Sequence, residues 1–128
     1  LLGPGGLLFL VYISKACRWE QYYFRYRGEE AKARRRQTTG PVFSDVEGKD
    51  VEIWYYLLEE LKILYSESFQ CLDQFPIGLF VPPSYMEEWF INKSKLLQGL
   101  GWLDKWSRRK GWADYGDHIG IVLKKDPD

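Results

Sequence analysis

The longest apolar stretch of the chain lies near its start. Residues 7–13 are an unbroken series of Leu, Phe, Val, Tyr and Ile, preceded by Gly3-Pro4-Gly5-Gly6. A membrane-spanning helix needs about 20 apolar residues, so this stretch does not span a bilayer by itself. It fits the end of a transmembrane helix that begins upstream, and it fits a core strand equally well. We therefore expect an apolar segment at residues 1–14, with both interpretations open, and a single globular domain at residues 15–128.

A helical pattern follows the apolar segment. Residues 14–37 are rich in Glu, Arg, Ala and Gln, which favour helix. Four aromatic side chains recur at spacings of three and four, so they gather on one face of the predicted helix. These are Trp19, Tyr22, Tyr23 and Tyr26. Gly28 is the weakest position in this helix, because glycine disfavours a helix interior.

A second helix is predicted at residues 51–66, with Asp50 as its N-cap. Its apolar positions form a wide stripe and leave a narrow polar face, which indicates the most buried element of the fold. The stripe consists of Val51, Trp54, Leu58, Leu61 and Tyr65. Glycine, proline and other turn residues flank residues 42–43, so that stretch is predicted to be a loop or a short strand.

The second half of the chain predicts shorter elements. An extended segment near residues 77–81 should end at Pro82-Pro83, because a proline disfavours helix in the residue before it. Ser84 and Glu87 have the spacing of a capping box and predict a helix that ends near residues 99–101. A short helix at residues 102–110 and a strand at residues 118–123 complete the pattern. The predicted fold is α+β and mainly helical, with three or four helices and two short strands that pair.

The amino-acid composition indicates that the domain has a contact surface. With 128 residues, one core is expected, and 17% of the residues are aromatic, including six Trp and nine Tyr. Buried Trp and Tyr need partners for their polar N–H and O–H groups, so many of these rings should lie at the edge of the core or at an interface. A protein partner is the simplest expectation.

Charge is distributed unevenly along the sequence. The net charge is zero, but residues 15–36 contain eight basic and three acidic residues, and the remainder carries the compensating negative charge. A basic segment directly after an apolar one is typical of the cytoplasmic flank of a membrane segment. A location at the cytoplasmic face of a membrane, or otherwise in the cytoplasm, follows from this pattern.

Our first functional hypothesis is a non-enzymatic, membrane-proximal interaction or structural domain, such as one subunit of a larger assembly. Two aromatic and basic segments would supply its partner or membrane contacts, the second resembling an interfacial helix. The candidate contact residues are Trp19, Tyr22, Tyr23, Tyr26, Arg34, Arg35, Arg36, Trp102, Trp106, Arg108 and Arg109.

The alternative hypothesis is a nucleic-acid-binding module that uses the basic and aromatic helix at residues 18–36. Arginines interleaved with rings can follow a phosphate backbone and stack on bases. The arginines that would make these contacts are Arg18, Arg25, Arg27, Arg34, Arg35 and Arg36. Glu20, Glu29 and Glu30 lie in the same segment and weaken its positive field.

The third hypothesis is a thiol hydrolase that uses His118, the only histidine. The sequence His118-Ile119-Gly120-Ile121-Val122 resembles the strand that carries the catalytic histidine in cysteine peptidases of the NlpC/P60 type, which implies an imidazole that activates a thiolate. In that family the cysteine precedes a small residue and glycine, whereas Cys17 precedes Arg18-Trp19 and Cys71 precedes Leu72-Asp73. We expect both cysteines to be free thiols, and the sequence indicates no metal, cofactor or small-molecule substrate.

Overall fold

The computed structural model describes residues 2–108 and 111–127. Within them the chain forms a small α+β domain of five strands and five α-helices, 36% helical and 29% strand. The α+β class is confirmed, whereas the predicted predominance of helix is wrong. The elements are β1 (Leu7–Ile13), α1 (Arg18–Tyr26), α2 (Glu30–Ala33), β2 (Val42–Val46), β3 (Lys49–Ile53), α3 (Leu58–Tyr65), β4 (Phe69–Ile77), α4 (Glu87–Phe90), α5 (Ser94–Ser107) and β5 (His118–Lys125), with 3₁₀ turns at Ser84–Met86 and Ala113–Tyr115.

The core lies between a three-stranded antiparallel sheet and α3. The strand order is β1-β5-β4, so β5 is central. Ile119, Ile121 and Leu123 point from one face of β5 and are almost fully buried. Leu58 and Leu61 of α3 cover this face. The strand predicted at residues 118–123 is therefore the centre of the sheet, because its alternate positions meet the helix.

The apolar segment near the chain start forms β1, which pairs with β5 along all seven residues. Leu8, Leu10 and Tyr12 pack against the core, while Phe9 and Val11 on the opposite face are exposed. Across residues 2–108 and 111–127, no helix has the length and apolar character needed to cross a membrane.

A β-hairpin replaces the predicted start of the second helix. β2 and β3 pair through a tight turn in which Glu47 and Gly48 both have positive φ. Asp45 supports this turn, since its carboxylate accepts a hydrogen bond from the Gly48 backbone N–H at 3.0 Å. The helix prediction from Val51 was wrong because polar and apolar residues alternate with a period of two from Asp50 onwards. The helix begins only at Leu58.

The first predicted helix is broken where glycine weakens it. α1 ends at Tyr26, Gly28 has a φ of +73°, and α2 is a separate short helix. A positive φ is incompatible with a continuous right-handed helix. The break turns the chain back, so the basic residues after α2 lie beside α1.

The second half of the chain differs from its prediction at helix and strand ends. No side-chain cap forms at Ser84; a 3₁₀ turn and α4 precede a break at Asn92, where φ is +64°. α5 then continues through both glycines to Ser107, so no separate helix starts at residue 102. Residues 109–110 of that predicted helix lie outside the described residues.

The strand predicted near residues 77–81 was wrong in position, since it shares only Ile77 with β4 (Phe69–Ile77). β4 ends at Ile77, where it pairs with His118, because Gly78 has a φ of +67° and turns the chain. The carboxylate of Asp104 in α5 accepts a hydrogen bond of 2.5 Å from the backbone N–H of Phe80. This bond holds the turn after β4 against the helix.

Candidate functional site

The aromatic stripe of α1 is divided between two sides of the helix. Tyr23 is buried, whereas Tyr22 and Tyr26 are 58% and 73% exposed. Arg18 and Arg25 are exposed beside them, since helix positions four, seven and eight residues apart share a face. We call Arg18, Tyr22, Arg25 and Tyr26 the α1 face.

Ring contacts hold the α1 face in place. Tyr22 and Tyr26 stack with their centroids 6.5 Å apart, and Trp89 from α4 meets Tyr26 edge-on at 5.4 Å. The guanidinium of Arg18 lies 4.5 Å from the centre of the Tyr115 ring. A shallow cavity of about 500 Å³ lies along this side of α1. The face is thus a pre-ordered surface of rings and cations.

The inward rings join α1 to the segment around α4. Tyr23 contacts Trp89 and Tyr85 with ring centroids 5.0 Å and 5.7 Å away. Trp19 meets Phe90 edge-on at 6.0 Å. Within the described part of the chain, the indole N–H of Trp19 is buried without a hydrogen-bond partner. Trp19 and Tyr23, both predicted contact residues, therefore pack inside the domain.

A buried ion network explains the position of two predicted contact arginines. Glu20 is 1% exposed and binds Arg36 at 2.7 Å and Arg35 at 2.9 Å. Arg36 also binds the carboxylate of Asp117 at 2.7 Å and donates to the backbone carbonyl of Ser14. The network connects α1, the segment after α2 and the start of β5.

The carboxylates keep the Arg36 guanidinium charged in this site. Burial opposes the charge, but Glu20 and Asp117 outweigh that effect and raise the pKa of Arg36. Tyr85 completes the shell by donating its hydroxyl to Glu20 at 3.2 Å. This network has a structural role, because its charged groups bind one another inside the domain.

The remaining arginines near α2 also have acidic partners. Arg34 binds Glu30 at 2.7 Å and Arg27 binds Glu29 at 3.0 Å, both in exposed positions. Glu29 contacts Lys32 as well. Most of the positive charge of residues 15–36 is thus matched by carboxylates within the domain, which was not visible from the charge count alone.

The second predicted contact segment lies on α5 and beyond it. Trp102 is 67% exposed, whereas Trp106 meets the ring of Trp112 at 5.8 Å. The guanidinium of Arg108 lies 4.0 Å from the centre of the Phe75 ring on the sheet. Arg109 lies outside the described residues. The segment therefore contributes two of its side chains to packing within the domain.

The two thiols and the histidine occupy separate environments. Burial raises the pKa of Cys17 to about 11, and burial also raises the pKa of Cys71. Both shifts disfavour the thiolate that a hydrolase needs. His118 Nδ1 lies 3.1 Å from Asp117, and the described residues show no hydrogen bond between His118 and either thiol. No group of three or more His, Cys, Asp or Glu within the described residues is arranged to hold a metal ion.

Two residues of this surface were not found from the sequence. Trp89 and Tyr115 had no signal there, because they reach α1 from distant parts of the chain. Arg18 and Arg25 were named only for the nucleic-acid alternative, although they also follow the helical spacing of Tyr22. No protein-family model matches this chain and no curated protein matches it significantly, so its function is argued from the α1 face itself.

Proposed function

We propose that this chain is a non-enzymatic protein-interaction domain whose α1 face binds an acidic segment of a partner protein. The carrying observation is the exposure of Tyr22 and Tyr26 between two exposed arginines. Tyrosine and arginine dominate the binding energy of protein interfaces, because they combine large contact area with directed polar groups.

Charge supports an acidic partner. Among the described residues no carboxylate pairs with Arg18, whose guanidinium rests on the Tyr115 ring. Arg25 lies 3.5 Å from Glu30 in an exposed and weak pair. A carboxylate of a partner could therefore pair with Arg18, which has no acidic partner among the described residues, and with Arg25, whose pair with Glu30 is weak.

The ordering of the rings supports binding without rearrangement. The stacked tyrosines and Trp89 already restrict one another, so these side chains lose less conformational freedom when a partner docks. A rigid aromatic surface of this kind favours recognition of one segment over general adhesion.

Nucleic acid and membrane surfaces receive less support from the same geometry. Arg35 and Arg36 are held by Glu20, and Arg34 by Glu30, so the cationic track needed along a phosphate backbone is interrupted. At the end of α5, Trp106 and Arg108 contact rings of the domain, so the contact residues of this segment are partly engaged within the domain, while Trp102 is 67% exposed.

A peptide selection tests the proposal. A phage library of random 12-residue peptides is selected on the full chain, and the enriched peptides are then tested for binding to the Tyr22→Ser/Tyr26→Ser variant, whose fold is checked by circular dichroism. We expect the enriched peptides to be acidic. The matched control is Phe43→Ser/Ile63→Ser, which removes two other exposed apolar side chains and should retain the selected peptides.

Three outcomes contradict the proposal. The first is enrichment of peptides that bind the double tyrosine variant equally well. The second is binding of single-stranded DNA that falls steeply with salt and depends on the α1 face. The third is flotation of the chain with anionic liposomes that is lost when both tyrosines are replaced.

A further inference from the structure

β1 is an edge strand with one open side. It pairs with β5 and, within the described residues, with no other strand. The Ser14 N–H donates to the Asp117 carbonyl on the β5 side, whereas the Ile13 carbonyl accepts from Tyr56 on the opposite side. Backbone groups alternate along an antiparallel strand, so those of Leu7, Phe9 and Val11 point to the open side.

The other edge of the sheet is protected and β1 is not. β4 carries a register shift between Cys71 and Asp73, an exposed charge at Asp73, and Pro76, which has no N–H to offer. Such features discourage a further strand from pairing. β1 has none of them: residues 7–13 contain no charge, no proline and no bulge.

The side chains that flank the open edge form an apolar row. Leu7, Phe9 and Val11 are 49%, 70% and 61% exposed on the outer face of the sheet. Each exposes on the order of 100 Å² or somewhat more, and a strand added beside β1 covers only the facing flank of each side chain, so the row contributes less than roughly 700 Å² to a pair of copies. That area is below the range of standard specific interfaces, so the expected association is weak and its specificity comes from hydrogen bonds to the open edge.

We propose that two copies of this chain associate through β1, antiparallel and with Phe9 opposite Phe9. Tyr56 occupies the edge at Ile13, so the free edge ends at Val11. The symmetric pairing that uses all three open residues places Leu7 opposite Val11 and Phe9 opposite its own copy. A continuous six-stranded sheet results.

A second copy suits this edge better than a charged segment. The two uncharged strands bring no like charges together, and antiparallel pairing places the two Lys124 side chains, which neighbour Leu7, at opposite ends of the joined sheet. The interface is two-fold symmetric and closed, so it yields dimers and not open filaments. It is separate from the α1 face and does not depend on the proposed function.

Sedimentation of the full chain over a concentration series tests the dimer. We expect a reversible monomer–dimer equilibrium, and Phe9→Lys should raise the dissociation constant at least roughly tenfold because it sets two lysines opposite each other. Ile63→Lys is the matched control, since Ile63 is 73% exposed and belongs to α3, not to β1. Circular dichroism establishes that both variants fold.

A cross-link tests the register. In a Cys71→Ser background, Phe9→Cys should form an intermolecular disulfide under mild oxidation, because directly paired Cα atoms lie about 5.5 Å apart and within reach of the bond. Ile63→Cys should remain monomeric. A chain that is monomeric at every concentration overturns the proposal, as does a dimer that Phe9→Lys leaves unchanged, or a monomer that floats with neutral liposomes only while Phe9 is present.

Discussion

Replacing Glu20 with glutamine should destabilise the domain more than any comparable change at its surface. The substitution preserves the size and shape of the side chain and removes its charge. Glu20 is 1% exposed and contacts two guanidinium groups, so its replacement would leave Arg36, itself 8% exposed on its side chain, with the Asp117 carboxylate alone.

The expected loss follows from the cost of a buried charge. Removing one partner of a buried pair typically costs about 3–5 kcal/mol, and the remaining contact with Asp117 places Glu20→Gln near about 3 kcal/mol. With a urea dependence of about 1–3 kcal/mol per molar, the unfolding midpoint should fall by roughly 1–3 M. The far-ultraviolet circular dichroism of the native state should stay unchanged.

Urea unfolding of the wild type, Glu20→Gln and Glu30→Gln measures this effect. Glu30 is the matched control because it also binds two arginines, Arg25 and Arg34, but at the surface. Its replacement should shift the midpoint only slightly, since water screens exposed pairs. Equal shifts for the two variants would refute the claim that the buried network joins α1 to β5.

Three further predictions concern glycine and cysteine positions. Gly120→Ala should lower the free energy of unfolding by about 1–3 kcal/mol, because the added Cβ would lie 2.6 Å from Cζ of Phe75. Gly99→Ala is the control, since its Cβ meets nothing within 4 Å and the change should be neutral or stabilising. Equal melting temperatures of the two variants would contradict this packing. Burial raises the pKa of Cys17 from its ordinary value to about 11, so the thiol ionises at lower pH in the unfolded chain than in the folded one. The free energy of unfolding should therefore fall by up to about 2–3 kcal/mol between pH 9 and 11. Cys17→Ala should remove this part of the pH dependence, and an unchanged pH dependence would contradict it. Alkylation of the native protein should modify Cys71 much faster than Cys17, which is 1% exposed, and equal rates in mass spectrometry would contradict this burial.

The central strand of the sheet was predictable because its signal is local. Residues 118–123 are a short, mostly apolar stretch rich in β-branched side chains, and the turn residues Gly116-Asp117 precede them. The hairpin was missed for a physical reason: Val51 and Trp54 fit a helical stripe with Leu58, while residues 50–53 also alternate with the period of a strand. The tight turn at Glu47 and Gly48 decides for the strand. The local sequence pattern fits the period of a helix and the period of a strand, so it does not decide between them.

The candidate site was predictable in part. Helical spacing brought Tyr22 and Tyr26 together, as the structure also does. The same spacing did not reveal that Tyr23 faces inward, because the direction of the core is set by α4 and by the return of the chain after Gly28. Arg36 reaches Glu20 only through that return, so a charge count assigned it to the surface.

The affinity of a selected acidic peptide for the α1 face tests the central claim most directly. Calorimetric titration compares the wild type, Tyr22→Ser/Tyr26→Ser and the Phe43→Ser/Ile63→Ser control. We expect the tyrosine variant to bind at least about tenfold more weakly, while the control binds like the wild type. Equal affinity of all three proteins would show that the peptide binds elsewhere and would contradict the assignment of the α1 face as the partner-binding surface.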